Sequence, residues 1–309
     1  MSAITREGVA LVVGLGMAGF GTAALTGLTF AQLPTSVPLT IGVGLFLADT
    51  TVVELVPTLR VVRAIRLAAY GCFYLIAVCL AGITAAYATQ RFGLPLQDQF
   101  FVAADRALGF DWFAITHWVD DHPLAHTVLR FAYDTMSIQI VLPVMILALL
   151  DRDADLRRYL LAFAISLAVT IAVGALLPAA SPIATLDLSA FHVLQFTGAT
   201  PLDHLWLLRS AGPVTMTGGS GLGGIISFPS FHATCAVLTP LVLRRERVVF
   251  YPLVLLDAFM LCSAVTEGAH YVSDVLAGAA VALLALWLAG KLSSRYPPMS
   301  NPQHLVVRD

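Results

Sequence analysis

Charged side chains are scarce in this 309-residue chain, where Asp, Glu, Lys and Arg together make up 12% of the residues. Soluble domains carry roughly 25% charged residues, so this chain has too little polar surface to face water on all sides. Hydrophobic residues make up 58%, and apolar runs recur that are long enough to cross a hydrocarbon core about 30 Å thick. The sequence therefore indicates a polytopic membrane protein rather than a soluble enzyme.

Cysteine is also rare, and its four copies, Cys72, Cys79, Cys235 and Cys262, all lie in apolar runs. We interpret them as small buried hydrophobic residues rather than as disulfide or metal partners. The formal net charge of −2 gives no basic surface for nucleic acid. A cleavable signal peptide is not expected, because the apolar run Val9–Phe30 is too long for one.

The apolar runs predict an all-α fold of about eight transmembrane helices in one integral membrane domain, residues 1–309. Residues 1–64 hold two additional N-terminal spans, residues 65–292 a catalytic core of six helices, and residues 293–309 a cytoplasmic tail. Nothing in the sequence indicates an oligomeric state. The predicted spans are Val9–Phe30, Pro38–Val56, Leu67–Ala88, Val128–Leu150, Tyr159–Leu177, Phe231–Leu243, Val248–Val265 and Tyr271–Leu292.

Two long connections separate some of these spans. In the first, Thr89–Thr127, the segment Leu96–Phe110 places its apolar residues on one helical face and keeps its acidic residues off that face. This pattern predicts a helix that lies in the membrane interface. The second connection, Pro178–Ser230, contains a glycine-rich run over residues 218–224, which lets the backbone approach a ligand closely.

All but four of the 17 Lys and Arg residues fall on one side of the membrane when the spans are counted from an inside N-terminus. Basic residues concentrate in cytoplasmic loops. We therefore expect an integral protein of the bacterial inner (plasma) membrane, with both termini cytoplasmic. Both long connections, and any site built from them, would then lie on the external, periplasmic side.

Two polar segments stand out, because a membrane helix keeps such groups for a function. In the first, Ser227–Ala233, Pro229 fits the first turn of a helix and Ser230 fits its cap. The free backbone N–H groups at the start of such a helix form a site for phosphate. The first segment therefore predicts a phosphate-binding helix N-terminus.

The second polar segment, Thr266–Gly278, places His270 and Asp274 four residues apart, on one face of a helix. The carboxylate can fix the imidazole tautomer and leave the other nitrogen as a base or a nucleophile. One helical hairpin separates His232 from His270, so both lie at the same depth on the same side. One histidine can then attack phosphorus while the other protonates the leaving oxygen.

These two segments resemble the second and third motifs of the type 2 phosphatidic acid phosphatase superfamily, and a weaker resemblance covers Asp105–Trp112. The chain is most similar to the branch that contains inositol phosphorylceramide synthases and related sphingolipid headgroup transferases. The resemblance implies that His270 is the nucleophile, that His232 is the acid and base, and that Asp274 orients His270. It also implies no cofactor, a phospholipid donor, and a lipid or water acceptor.

The chain departs from the phosphatase members at two positions that carry arginine there. Leu142 stands before Pro143, and Ala264 stands six residues before His270. A phosphate monoester approaches two negative charges and favours several cations, whereas a phosphodiester carries one charge and needs fewer. Because the external face has few cations, of which Arg130 is the best placed, the sequence favours a diester substrate.

The substrate site is predicted to include six residues beside the catalytic triad: Ser230, Arg130, Tyr133, Gln139, Glu267 and Tyr271. The role of the glutamate within this set is left open. A zinc site built from the triad is an alternative, but no HExxH motif or acidic cluster accompanies it. Two other functions stay open, a lipid phosphate or pyrophosphate phosphatase and a lipid-binding or transport protein on the same scaffold.

Overall fold

The structure is a computed structural model that describes residues 6–31, 60–185, 189, 191–192, 194, 196, 199–217 and 222–293. Within these ranges the chain forms eleven α-helices, two short strands and a 3-10 turn at Pro182–Thr185. The strands are β1 (Leu28–Ala31) and β2 (Val214–Thr217). The helices are α1 (Arg6–Leu25), α2 (Arg60–Gln90), α3 (Asp98–Ala107), α4 (Trp112–Asp120), α5 (Pro123–Asp134), α6 (Met136–Leu149), α7 (Asp153–Leu176), α8 (Ala199–Leu208), α9 (Phe231–Val242), α10 (Arg247–Thr266) and α11 (Val272–Ser293).

Five helices, α1, α2, α7, α10 and α11, are long and apolar enough to cross a membrane, and α5 with α6 forms a sixth candidate span bent by 47°. Helix α9 is apolar but has only 12 residues. The chain is therefore an all-α polytopic membrane protein. The predicted span Pro38–Val56 lies outside the described residues, and so does all of the predicted tail after residue 293.

Four predicted spans differ from their helices by five residues or more at one end. Helix α2 begins at Arg60 instead of Leu67, and α7 begins at Asp153 instead of Tyr159. The other two are the first and the fourth predicted spans. The first ends at Leu25 instead of Phe30, because Gly27 has a φ of +68° and the chain then enters β1. Strand β1 pairs in parallel with β2, so the all-α prediction missed this small element. The predicted span Val128–Leu150 begins earlier, at Pro123, and is interrupted at Thr135 between α5 and α6.

The ends of α1 and α2 are joined by Arg91. Its guanidinium donates hydrogen bonds of 2.6–3.0 Å to four backbone carbonyls. One carbonyl, that of Thr26, follows α1. The other three belong to Leu208 at the end of α8 and to Ser210 and Gly212 before β2. Arg91 therefore fixes the N-terminal helix to the segment that precedes β2.

Helices α9 and α11, which carry the two polar motifs, approach each other closely at Gly278. A Cβ atom at this position would lie 2.2 Å from the carbonyl oxygen of Ser230. Thr234 Oγ1 also donates to the Gly278 carbonyl at 2.9 Å. Small residues at helix crossings let membrane helices pack backbone to backbone, so the spacing between the two motifs is fixed by the main chain.

The predicted interface helix is present as α3, but its acidic residues face the protein. Asp105 is 3% exposed, whereas Phe100 is 63% exposed. Phe101 is also buried, so the apolar residues of this segment do not all face outward. The acidic face is turned inward because its carboxylates accept hydrogen bonds from backbone amides, and an apolar side remains directed outward.

All four cysteines are free thiols. Cys235 is buried and Cys72 and Cys79 are partly buried, as the sequence predicts for small hydrophobic residues. Cys262 is exposed on α10, so the prediction of burial is wrong there.

Candidate active site

Helix α9 carries His232 in its first turn. Ser230 is the N-cap, as the sequence predicts, and its Oγ accepts from the amide of Ala233 at 3.3 Å. Pro229 lies one residue before the cap instead of in the first turn. In the described part of the chain the amides of Phe231 and His232 donate no hydrogen bond, so these two N–H groups are available to an anion.

His270 and Asp274 face each other at the start of α11. His270 Nδ1 lies 3.4 Å from Asp274 Oδ2, and the amide of Tyr271 donates to the same oxygen at 3.0 Å. His270 precedes the helix, which begins at Val272, so the predicted shared helical face is wrong. The turn over Tyr271 brings the two side chains together instead. The Nε2 atom of His270 is the nitrogen that does not face the carboxylate.

Asp274 has a further partner, which sequence reasoning missed. Ser227 Oγ donates to Asp274 Oδ2 at 2.8 Å, and the aspartate is completely buried. The amide of Ser230 donates to the carbonyl of Asp274 at 3.0 Å. The two polar motifs are therefore joined through a side chain and through the backbone. The only sequence signal for Ser227 was its place at the start of the first motif.

Both histidines line one cavity of about 460 Å³. Their ring centroids are 6.2 Å apart, and the ring of Tyr133 stacks on His232 at a centroid distance of 4.2 Å. The rest of the lining comes from the start of α6, the chain just after α7, α8, residues 223–227, Phe231 and Gly268. A cavity of this size is in the range of small-molecule sites, about 300–1,000 Å³.

Of the six residues predicted to bind substrate, Tyr133 lines the cavity and the other five do not. Ser230 is buried at the cap of α9. Tyr271 Oη donates to Asp98 at 2.9 Å, on the side of α3. Gln139 Nε2 donates to Thr135 at 2.9 Å, at the break between α5 and α6. Direct contact with substrate is therefore best supported for Tyr133.

The remaining two predicted residues, Arg130 and Glu267, belong to one charged cluster. Arg130 Nε donates to Asp134 at 2.9 Å, and Arg130 Nη1 lies 4.0 Å from Glu267. His126 Nε2 lies 3.5 Å from the same Glu267 carboxylate. Glu267 is completely buried and adjoins Gly268, which lines the cavity. Arg130 is thus paired with Asp134 and lies close to Glu267. Among the described residues, no group of three or more His, Cys, Asp or Glu side chains has the geometry to hold a metal ion.

Comparison with known proteins agrees with this geometry. The sequence model of the PAP2 superfamily matches residues 99–288, more than half of the chain, and the match includes His232, His270 and Asp274. The chain belongs to the PAP2 superfamily. Membership of the PAP2 superfamily indicates lipid phosphatase or phosphotransferase activity. No curated protein and no solved structure matches the chain.

Two positions at which phosphatases of the PAP2 superfamily carry arginine are occupied by apolar residues inside the bundle. Ala264 is completely buried, and its carbonyl accepts from the amide of His270 at 3.0 Å. Leu142 packs against the main hydrophobic core and does not line the cavity. Neither position therefore supplies a cation to the site.

Burial raises the pKa of the Glu267 carboxyl from its usual 4.5 to about 7, although Arg130 opposes this shift. An acid whose pKa is higher in the folded state than in the unfolded state stabilises the fold while it is protonated. The free energy of unfolding therefore falls as the pH rises from about 4.5 to about 7. We expect Glu267→Gln to remove this dependence and to be more stable than the wild type above pH 7, by up to about 3 kcal/mol.

The measurement is the thermal unfolding midpoint in detergent micelles between pH 5 and pH 8. Asp203→Asn is the control, because this carboxylate is exposed on α8. The difference between Glu267→Gln and the wild type should grow with pH, and the control should follow the wild type. A constant difference across this range would contradict a raised pKa at Glu267.

Proposed function

We propose that this protein transfers a phospho-headgroup between membrane lipids through a phosphohistidine at His270, at the external face of the membrane. The observation that carries the proposal is the lining of the cavity. It contains both histidines and, among the described residues, no Asp, Glu, Lys or Arg side chain. Such a site has catalytic groups for phosphoryl transfer but little positive charge for a dianion.

The charge of the site favours a phosphodiester. A phosphate monoester would bring close to two negative charges into a cavity without a cation in its described lining, and Arg130, beside Glu267, is already paired with Asp134. Coulomb interactions are strong where water is excluded, so the second charge would be poorly compensated. A diester brings one charge, which the free amides of Phe231 and His232 can bind at the start of α9. This agrees with the branch of headgroup transferases that the motifs resemble.

Apolar residues in the cavity support a lipid as donor and as acceptor. Met136 from α6, Leu202 and Leu205 from α8, and Phe231 from α9 all contribute to the lining. These side chains can contact acyl or sphingoid chains while the phosphate lies between the histidines. Ligand sites are commonly lined by apolar groups with a few convergent polar ones.

The chemistry follows from the two histidines. His270 Nε2 attacks phosphorus, while His232 gives its proton to the leaving diacylglycerol oxygen, and the headgroup phosphate stays on His270. His232 then removes the proton from the acceptor hydroxyl, whose oxygen attacks phosphorus and releases His270. Asp274 holds Nδ1 and stabilises the charge on the ring. The amides at the start of α9 bind the equatorial oxygens. Water in place of the acceptor lipid would give hydrolysis.

The preference of the protein for substrates of different charge tests this proposal. We expect the purified protein to use glycerophospholipid diesters at least about tenfold more efficiently, in kcat/KM, than phosphatidic acid, because about 1.4 kcal/mol of better charge compensation gives this factor. The assay follows labelled phospholipids in mixed micelles, with and without diacylglycerol or ceramide, and uses His270→Ala as the background. Faster release of phosphate from phosphatidic acid than any headgroup transfer would show that the protein is a phosphatase.

The external position of the site is a separate proposal, and it rests on the basic residues. The loops at the end of the bundle opposite the cavity contain Arg152, Arg244 and Arg245, which is typical of a cytoplasmic face. We expect a cysteine introduced at Ser210, near the cavity end, to react with an impermeant maleimide on intact cells. A cysteine at Arg245 should react only after lysis. Labelling of both from one side would contradict this orientation.

A further inference from the structure

Helix α3 contacts the chain segment that follows the proposed nucleophile, His270. Asp105, on the buried side of α3, accepts from the amide of Val272 at 2.7 Å and from the amide of Ser273 at 2.8 Å, one with each carboxylate oxygen. These are the first two amides of α11, which have no acceptor within their own helix. Asp105 therefore holds the start of α11 from another helix, 167 residues away in the chain.

A second carboxylate of α3 extends this contact. Asp98 accepts from the amides of Ala180 and Ser181 at 3.0 Å and from Tyr271 Oη at 2.9 Å. Ser181 Oγ in turn donates to the carbonyl of Ala269. Ser181 and Ala269 have positive φ angles of 91° and 52°, a conformation that costs energy for residues other than glycine. The backbone on both sides of His270 is thus held by contacts from outside α11.

The position of the first turn of α11 decides how His270 meets its partner. Asp274 is the third residue of α11, and its Oδ2 lies 3.4 Å from His270 Nδ1. If the first turn shifts or frays, the carboxylate moves relative to the imidazole, and Nε2 changes its direction toward phosphorus. A displacement of about 1 Å in a reacting group can lower a rate on the order of 10²-fold.

We infer that Asp105 is a positioning residue for His270: by binding the amides of Val272 and Ser273 it sets the geometry of the His270–Asp274 pair. Asp105 does not line the cavity that holds the two histidines. It acts on the rate of attack through the start of α11 and leaves the binding of substrate unchanged. This inference rests on the proposed function, because it takes His270 as the nucleophile.

The test is the rate of phosphorylation of His270 in a single turnover at saturating p-nitrophenyl phosphodiester. Asparagine keeps the shape of Asp105 but offers one acceptor in place of two. Asp105→Asn should lower this rate about 10–100-fold, with an apparent KM within about threefold of the wild type. Asp105→Glu, which keeps both acceptor oxygens, should recover part of the rate.

The matched control is Asp111→Asn, which removes the carboxylate that caps α4 by accepting from Ala114 at 3.2 Å. The control rate should stay within about twofold of the wild type, because the amide that Asp111 caps belongs to α4 and not to α11.

A second variant covers the case in which Asp105→Asn does not fold. Val272→Pro removes one of the two donors and keeps Asp105, and proline is favoured at the first position of a helix. It should slow phosphorylation of His270 without raising KM. If either variant folds and phosphorylates His270 at the wild-type rate, then Asp105 is only a helix cap. This conclusion holds even if the unfolding temperature of the variant is lowered. If the wild type forms no phosphohistidine, the proposed function fails and this inference fails with it. A phosphorylated wild type together with an undiminished Asp105→Asn rate overturns the inference alone.

Discussion

The His270→Ala variant is expected to form no phosphoryl-enzyme with any substrate. Asp274 holds Nδ1 of this histidine, and the ring lines the cavity, so Nε2 is the atom in position to attack phosphorus. Without it no covalent intermediate can form. Turnover should fall on the order of 10⁴–10⁶-fold, as in other enzymes that lose their nucleophile. The measurement is mass spectrometry of enzyme that is quenched within milliseconds of mixing with substrate.

His122→Ala is the control for this experiment. This histidine is exposed at the start of α5 and lines no part of the cavity. Its loss should leave both the intermediate and the turnover close to wild type. A phosphoryl group that is found on His232, or that survives in His270→Ala, would reverse the proposed roles or refute the covalent mechanism.

The His232→Ala variant is expected to show a loss that depends on the leaving group. With a lipid donor the leaving alkoxide needs a proton, and general acid catalysis contributes about 10²–10⁴-fold. Phosphorylation of His270 should slow by that factor. With a p-nitrophenyl phosphodiester the leaving group needs little protonation, so the first step should stay within about tenfold of the wild type. The intermediate should then accumulate, because the same side chain activates the acceptor.

Tyr133→Phe provides a comparison for His232→Ala. The ring of Tyr133 stacks on His232, and phenylalanine keeps this contact, so the variant should show no selective loss with lipid donors. The two-substrate comparison is made by rapid quench and mass spectrometry, as for His270. An equal loss of rate with both leaving groups in His232→Ala would mean that His232 positions substrate and does not transfer protons.

Features that depend on local composition were predictable from the sequence. The apolar runs identify α1, α2, α7, α10 and α11 as candidate spans, because hydrophobic length is a property of one segment. The capping role of Ser230 was also predictable, since an N-cap bond reaches only three residues along the chain. The two histidines line the same cavity because a single helical hairpin separates them.

Features that depend on contacts between distant segments were not predictable. The bond from Ser227 to Asp274 joins residues 47 apart, and the bond from Tyr271 to Asp98 joins residues 173 apart. No periodicity in one sequence encodes such pairs. The inward direction of the acidic face of α3 was missed for the same reason, because its acceptors meet backbone amides, which every residue has. The break at Thr135 depends on local hydrogen bonds that apolar length does not report.

The contacts of Arg91 and the pairing of β1 with β2 have a consequence for truncated forms of the protein. The match to the PAP2 superfamily begins at residue 99, yet the chain before that point supplies both Arg91 and strand β1. Arg91 binds the carbonyls of Leu208, Ser210 and Gly212 at and after the end of α8, a helix that forms one wall of the cavity. A fragment limited to the shared region would keep both histidines but lose Arg91, which holds this wall of the cavity in place. The proposed catalytic residues lie within the region that matches the superfamily, whereas Arg91, which holds one wall of the cavity, lies before it.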